Sequence, residues 1–201
     1  ARIPNVMPLG DGSGLALLSG DGQNRQRLWL LPLQQRNLVP WRQGLAEPKA
    51  GALQPLSHKP LLFAHLSSNR RGDLLVQAGS AALEPGTTTL WLRHGQRQSL
   101  AQKASGPMQL LPEGGGVVVP ELEGLTLHSL PGQPRRRQVL PGSRDLSSFC
   151  PVSGRALLVR HWPDYRRSLE LVEPGQAPRQ LWLGSEAVLA SACDRRGERA
   201  W

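Results

Sequence analysis

The chain has 201 residues, a formal net charge of +9, 22 glycines, 18 prolines and two cysteines. That length buries a sizeable core without needing disulfides, roughly 70% of the unfolded surface, and the glycines and prolines punctuate short apolar runs, which argues against long helices and low-complexity disorder. No apolar stretch approaches the about 18 residues of a membrane span, and the opening ARIPNVMPLG lacks the charged-then-apolar layout of a signal peptide, so a soluble chain is expected.

The first unit runs from about Val6 to Trp41. A Gly-rich turn at Pro8 to Gly14 leads into an apolar run at Leu15 to Ser19, a Gly20-Asp21-Gly22 turn follows, and two more runs come at Leu28 to Leu33 and Asn37 to Trp41. This reads as turn, strand, hairpin, strand, strand. Asp11 and Asp21 match no calcium-loop spacing and read as ordinary Asp-Gly turn chemistry. Residues 42–60, with three prolines and weak periodicity, read as an inserted loop and as one candidate for a partner-binding excursion.

The second unit holds Leu61 to Ser67, Leu74 to Gly79, Thr88 to Gly95 and Arg97 to Leu100. The third holds Met108 to Gly116, Gly116 to Leu122, Gly124 to Leu130 and Arg136 to Leu140. A fourth begins at Asp145 and includes Arg155 to Arg160, Ser168 to Val172 and Arg179 to Leu183. A fifth starts at Ala187 and would reach only its second strand at Trp201, which predicts an open sheet edge there, covered by another segment, a second copy or further sequence.

Alignment of the second strands gives the period. Leu74, Val117, Leu157 and Arg199 stand 43, 40 and 42 residues apart, while Ala16 to Leu74 spans 58, the excess being the 42–60 insert. Four short strands repeating every about 40–45 residues predict an all-β fold of β-propeller blades: four recognisable blades and the start of a fifth, or a piece of a larger propeller, in one repeat domain over 1–201.

The junction between first and second strands recurs as PLGDGSGLALLS, LSSNRRGDLLVQ, LLPEGGGVVV, FCPVSGRALLV and ACDRRGERAW. These resemble the Ser-Pro-Asp-Gly turn of TolB-like, WD40-like propeller repeats, whose third strand often carries a Leu-Trp or Leu-Tyr pair, as at Leu28 with Trp29 and Leu90 with Trp91. The resemblance implies a propeller used as a binding platform, in exported or periplasmic bacterial proteins or beside a peptidase domain. It carries over no functional residue, because the shared motif is structural.

The sequence shows no Gly-x-Ser-x-Gly elbow, Walker loop, His-Glu-x-x-His or Cys-x-x-Cys set, so the reading leans away from an enzyme, and no cofactor or metal is expected. Cys150 and Cys193 fall at equivalent places in successive units, which predicts blade-to-blade separation and two free thiols. The histidines, His58, His65, His94, His128 and His161, share no ligand spacing. Arg outnumbers Lys 21 to 3 and is spread along the chain, which fits codon composition as well as phosphate contacts.

The candidate partner-binding surface combines Trp162, Tyr165, Arg166 and Arg167 of the HWPDYRR segment with Arg135, Arg136 and Arg137. The expected function is a non-enzymatic protein-interaction scaffold. The alternatives are an accessory propeller of a hydrolase or peptidase whose catalytic domain is absent from this chain, and a module for nucleic acid or another polyanion. Self-association through the open fifth-blade edge is a further expectation.

Overall fold

The computed structural model describes residues 2–20, 25–33, 50–57, 59–79, 87–91, 96–100, 104–134, 137–140, 146–152 and 155–185. Among these residues there is no helix, and the strands form four antiparallel four-stranded sheets, each a meander in sequence order. The first sheet joins β1 (Arg2–Pro8), β2 (Gly14–Gly20), β3 (Gln26–Pro32) and β4 (Gln54–Pro55). The second joins β5 (Phe63–Ser68), β6 (Leu74–Gly79), β7 (Thr87–Trp91) and β8 (Arg97–Leu100). The third is β9 (Gln109–Leu110), β10 (Gly116–Glu121), β11 (Gly124–Ser129) and β12 (Arg137–Val139). The fourth is β13 (Leu146–Val152), β14 (Arg155–His161), β15 (Arg167–Val172) and β16 (Arg179–Gly184). The expected all-β architecture of four-stranded blades is what the chain adopts.

The turn shared by the sequence repeats has one backbone geometry in three sheets. Gly12 N–H donates to the Leu9 carbonyl, Gly72 N–H to that of Asn69 and Gly114 N–H to that of Leu111, at 2.9, 3.1 and 2.9 Å. The donor glycine has φ of 76°, 80° or 82°, the left-handed region that a side chain disfavours, so the recurring glycine is a demand of the turn. Asp11 braces the first copy: its Oδ1 accepts from the Ser13 N–H at 2.9 Å and from the Ser13 hydroxyl at 2.7 Å. Asp21 lies outside the described residues.

The chain divides into two compact units, Ala1–Ala101 and Gln102–Trp201, each with two sheets. In the first unit, Leu9, Ala16, Leu18, Leu28 and Leu56 pack with Leu74, Val76 and Ala78 of the second sheet. Alternate burial along β2 puts Ala16 and Leu18 on the covered face. In the second unit, Val118, Leu125 and Leu140 pack with Phe149, Ala156, Leu158 and Val172. The opposite face of the fourth sheet carries Cys150, Leu157 and Leu171, which explains four consecutive buried residues in β14.

The segment read as an inserted loop contains β4, whose Gln54 and Pro55 pair with Leu30 and Trp29. Leu56 follows it into the core, and its N–H donates to the Leu28 carbonyl at 2.9 Å. The run Asn37 to Trp41, expected as a strand, lies outside the described residues, as does the fifth unit from Ala187. No helix among the described residues is long and apolar enough to cross a membrane.

The expectation of two free thiols is overturned at Cys150, which is disulfide-bonded. The expectation rested on equivalent places in neighbouring blades, a spacing taken as too wide for a bridge. Cys193 lies outside the described residues.

Candidate interaction site at the turn between β14 and β15

The two strands pair from Ala156 with Val172 to His161 with Arg167, so the HWPDYRR segment is delivered at the end of a regular ladder. Pro163 fixes the first corner of the turn. The Trp162 N–H closes it on the Arg166 carbonyl at 2.9 Å, and the Tyr165 N–H donates to the Trp162 carbonyl at 3.1 Å. Asp164 Oδ1 accepts from the Arg166 N–H at 3.2 Å. Tyr165 follows with φ of 65°, a position hairpins of this kind usually give to glycine, and its side chain is 91% exposed.

Trp162 is 39% exposed, and its indole is fixed from below. Nε1–H donates to Ser168 Oγ at 2.9 Å, and the Ser168 hydroxyl donates to Glu170 Oε1 at 2.6 Å. Arg160 meets the same carboxylate with both Nε and Nη2, at 3.2 and 3.0 Å, while its guanidinium carbon lies 5.9 Å from the Trp162 ring centroid. Ser168 and Glu170 are buried. Burial pushes the Glu170 carboxyl up, but the hydrogen bonds from Arg160 and Ser168 and the Arg160 charge outweigh it and hold it below the ordinary range. The arrangement orients one aromatic ring and leaves a second one exposed beside it, chemistry suited to recognition.

Arg166 at the tip is held by Asp164, with Nη2 and Oδ2 2.7 Å apart, and the Arg166 hydrogen bond lowers the Asp164 pKa. Arg167 lies half-buried at the start of β15. Arg137 lies on another sheet, in β12, where its Nη2 donates to Glu121 Oε2 at 2.7 Å. Thr126 Oγ donates to the same oxygen at 3.0 Å, and His128 Nε2 faces Glu121 Oε1 at 2.8 Å. Burial pushes the Glu121 carboxyl up, and its bonds to His128, Arg137 and Thr126 bring it below the ordinary value. Arg135 and Arg136 lie outside the described residues. Of the seven candidates, the structure therefore groups Trp162, Tyr165, Arg166 and Arg167 on one hairpin and places Arg137 in a separate cluster.

Arg160, Ser168 and Glu170, which support the tip, escape a composition-based reading. Their signal is positional: charged Arg160 and Glu170 stand in strand runs where the neighbours are apolar, and the β14–β15 register sets Arg160 opposite Ser168.

No family profile and no curated protein matches the chain. Among solved structures, the chain is similar to the β-propeller domain of Cps50 (Swd1) from Myceliophteria thermophila, at 13% identity and a TM-score of 0.57. The likeness covers 98% of this chain and 61% of that one, so this chain spans less than two thirds of the length it matches. At such identity the likeness establishes the fold, a β-propeller, and nothing about a partner.

Proposed function

We propose that this propeller chain is a non-enzymatic protein-interaction scaffold and that the β14–β15 turn is a contact point for its protein partner. The observation that carries the reading is Tyr165: a large aromatic residue almost fully exposed, on left-handed backbone that favours glycine. Strained exposed positions are kept where function requires the side chain, and a rigid aromatic tip loses little entropy on binding. Trp162, anchored through Ser168, supplies a second ring already oriented.

The charge distribution favours a protein over a polyanion. Arg137, Arg155, Arg160 and Arg166 each direct donors to a carboxylate of the chain, so these four guanidinium groups are less available to bind phosphates. Membership among TolB-like repeat proteins, with an exported setting, belongs to the same proposal and rests on the turn motifs.

The test is photo-cross-linking in the native host, with a benzophenone amino acid placed at 165 and, as a control, at 122, a position equally exposed at the β10–β11 turn. A protein adduct formed from 165 alone, and competed away by unlabelled wild type but not by a Tyr165→Gly, Trp162→Ala double variant, supports the reading. Equal labelling from both positions, or adducts to nucleic acid that vanish between about 50 and 200 mM salt, overturns it.

A further inference from the structure

The register of the fourth sheet carries apolar surface beyond the β14–β15 turn. Ser168, whose hydroxyl holds the Trp162 indole at 2.9 Å, has Leu183 of the edge strand β16 as its cross-strand partner. Directly paired residues of an antiparallel ladder share a face, so Leu183 stands on the side of the sheet where the indole is anchored. Leu183 is 36% exposed, close to the value for Trp162, and Tyr165 lies beyond them at the tip. The charges on this side cancel in pairs: Arg160 is bonded to Glu170, and Arg166 to Asp164. His161 and Arg167 are cross-strand partners of each other, and alternation along β14 and β15 turns both to the opposite face.

We infer that Trp162, Tyr165 and Leu183 form one docking patch, and that the protein partner meets it with an uncharged apolar surface holding a pocket for the Tyr165 ring. This patch presupposes the protein contact at Tyr165 and adds Leu183 and the partner's chemistry to it. Tyr165 projects past the last ladder pair, His161 with Arg167, on a turn closed by its own hydrogen bonds, so it fits a concavity better than a flat surface. Its phenol is buried on docking and donates to an acceptor in the pocket, because a hydroxyl that leaves water without a new bond weakens the complex. Trp162 and Leu183 need no polar match: the indole N–H is already taken by Ser168, and leucine has no polar side-chain atom. With its charges paired off, the patch gains little from electrostatic steering, and its affinity is nearly independent of salt.

The experiment cross-links the full chain in a lysate of the native host, with a benzophenone amino acid at 165 or at 183, and titrates unlabelled competitors against the protein adduct. The same adduct should form from both positions. The competitor concentration that halves it should rise about tenfold for Tyr165→Phe, which keeps the ring and loses only the hydroxyl, and about tenfold for Leu183→Ser. For wild type it should change by less than about twofold between about 50 and 200 mM salt. Either variant competing as well as wild type, no adduct from 183, or a loss of about tenfold between those salts overturns the patch and leaves the contact at 165 in place. Absence of any competed adduct from 165 removes the contact itself, and the patch with it.

Discussion

Gly10 lies so close to Asn69 that a Cβ built on it would stand 1.8 Å from the Asn69 carbonyl oxygen. The contact is mutual between turns: a Cβ on Gly72 would meet the Asp11 carboxylate at 2.5 Å. Each turn thus presents a glycine to the other, and the Gly10 N–H donates to Ser68 Oγ at 3.0 Å to fix the fit. Asn69 holds its own side in shape, with Oδ1 accepting from the Arg71 and Asp73 N–H groups and Nδ2 donating to Asp73 Oδ2. The first and second sheets are therefore locked at their turns as well as through their core.

Gly10→Ala should cost about 3 kcal/mol, because the obstacle is backbone and cannot rotate away. Gly175→Ala is the control: its φ is +73°, but nothing lies within 4 Å of the added methyl, so only the backbone term of about 1 kcal/mol applies. Urea unfolding of both variants checks the difference, and equal losses would contradict the interlock.

The Arg160–Glu170 pair predicts acid sensitivity. The folded Glu170 pKa lies below the ordinary glutamate value, so the carboxylate contributes stability that is fully present above the unfolded pKa and is lost as pH falls through the folded one. Wild type should therefore weaken as pH drops below about 4.5 more steeply than Glu170→Gln, measured as urea midpoints along a pH series. Arg160→Met should be worse than Glu170→Gln at pH 7, by roughly 3 kcal/mol, since it leaves a buried carboxylate without its cation.

Tyr165→Gly separates binding from folding. Removing a side chain from left-handed backbone should raise stability by up to about 1 kcal/mol, offset in part by the greater freedom of glycine in the unfolded chain. As an unlabelled competitor in the cross-linking assay, Tyr165→Gly should displace the partner less well than wild type does. A variant that loses stability and keeps its partner would show that Tyr165 serves the fold.

What the sequence displayed and what it concealed follow from the same physics. Runs such as Leu74 to Gly79 and Ser168 to Val172 announce themselves because they are apolar and end at turn residues. β1 does not, since Pro4 and Asn5 argue against a strand; it forms at a sheet edge, with a register shift between Arg2 and Asn5. β4 is two residues in a Pro-rich segment, held by Leu56 burial and by the Leu28 N–H donating to Ser57 Oγ, contacts no local pattern encodes. At the site, aromatic and basic composition marked the tip, whereas its Arg160–Glu170 support needs the register. Arg137 looked like a free cation because Glu121, 16 positions away, is not its neighbour in sequence.

Because each sheet is a meander in sequence order, nearly every strand pairs with the segment just before or after it. Short closures of that kind assemble quickly, so most of each sheet can zip together hairpin by hairpin without waiting for distant parts of the chain. The pairing of β3 with β4 is different, because the intervening residues 33–53 must loop back before Gln54 meets Leu30. That closure carries the largest loop entropy in the first sheet, so shortening the connection should speed folding of the first unit more than the same deletion at any tight turn, as stopped-flow refolding would show.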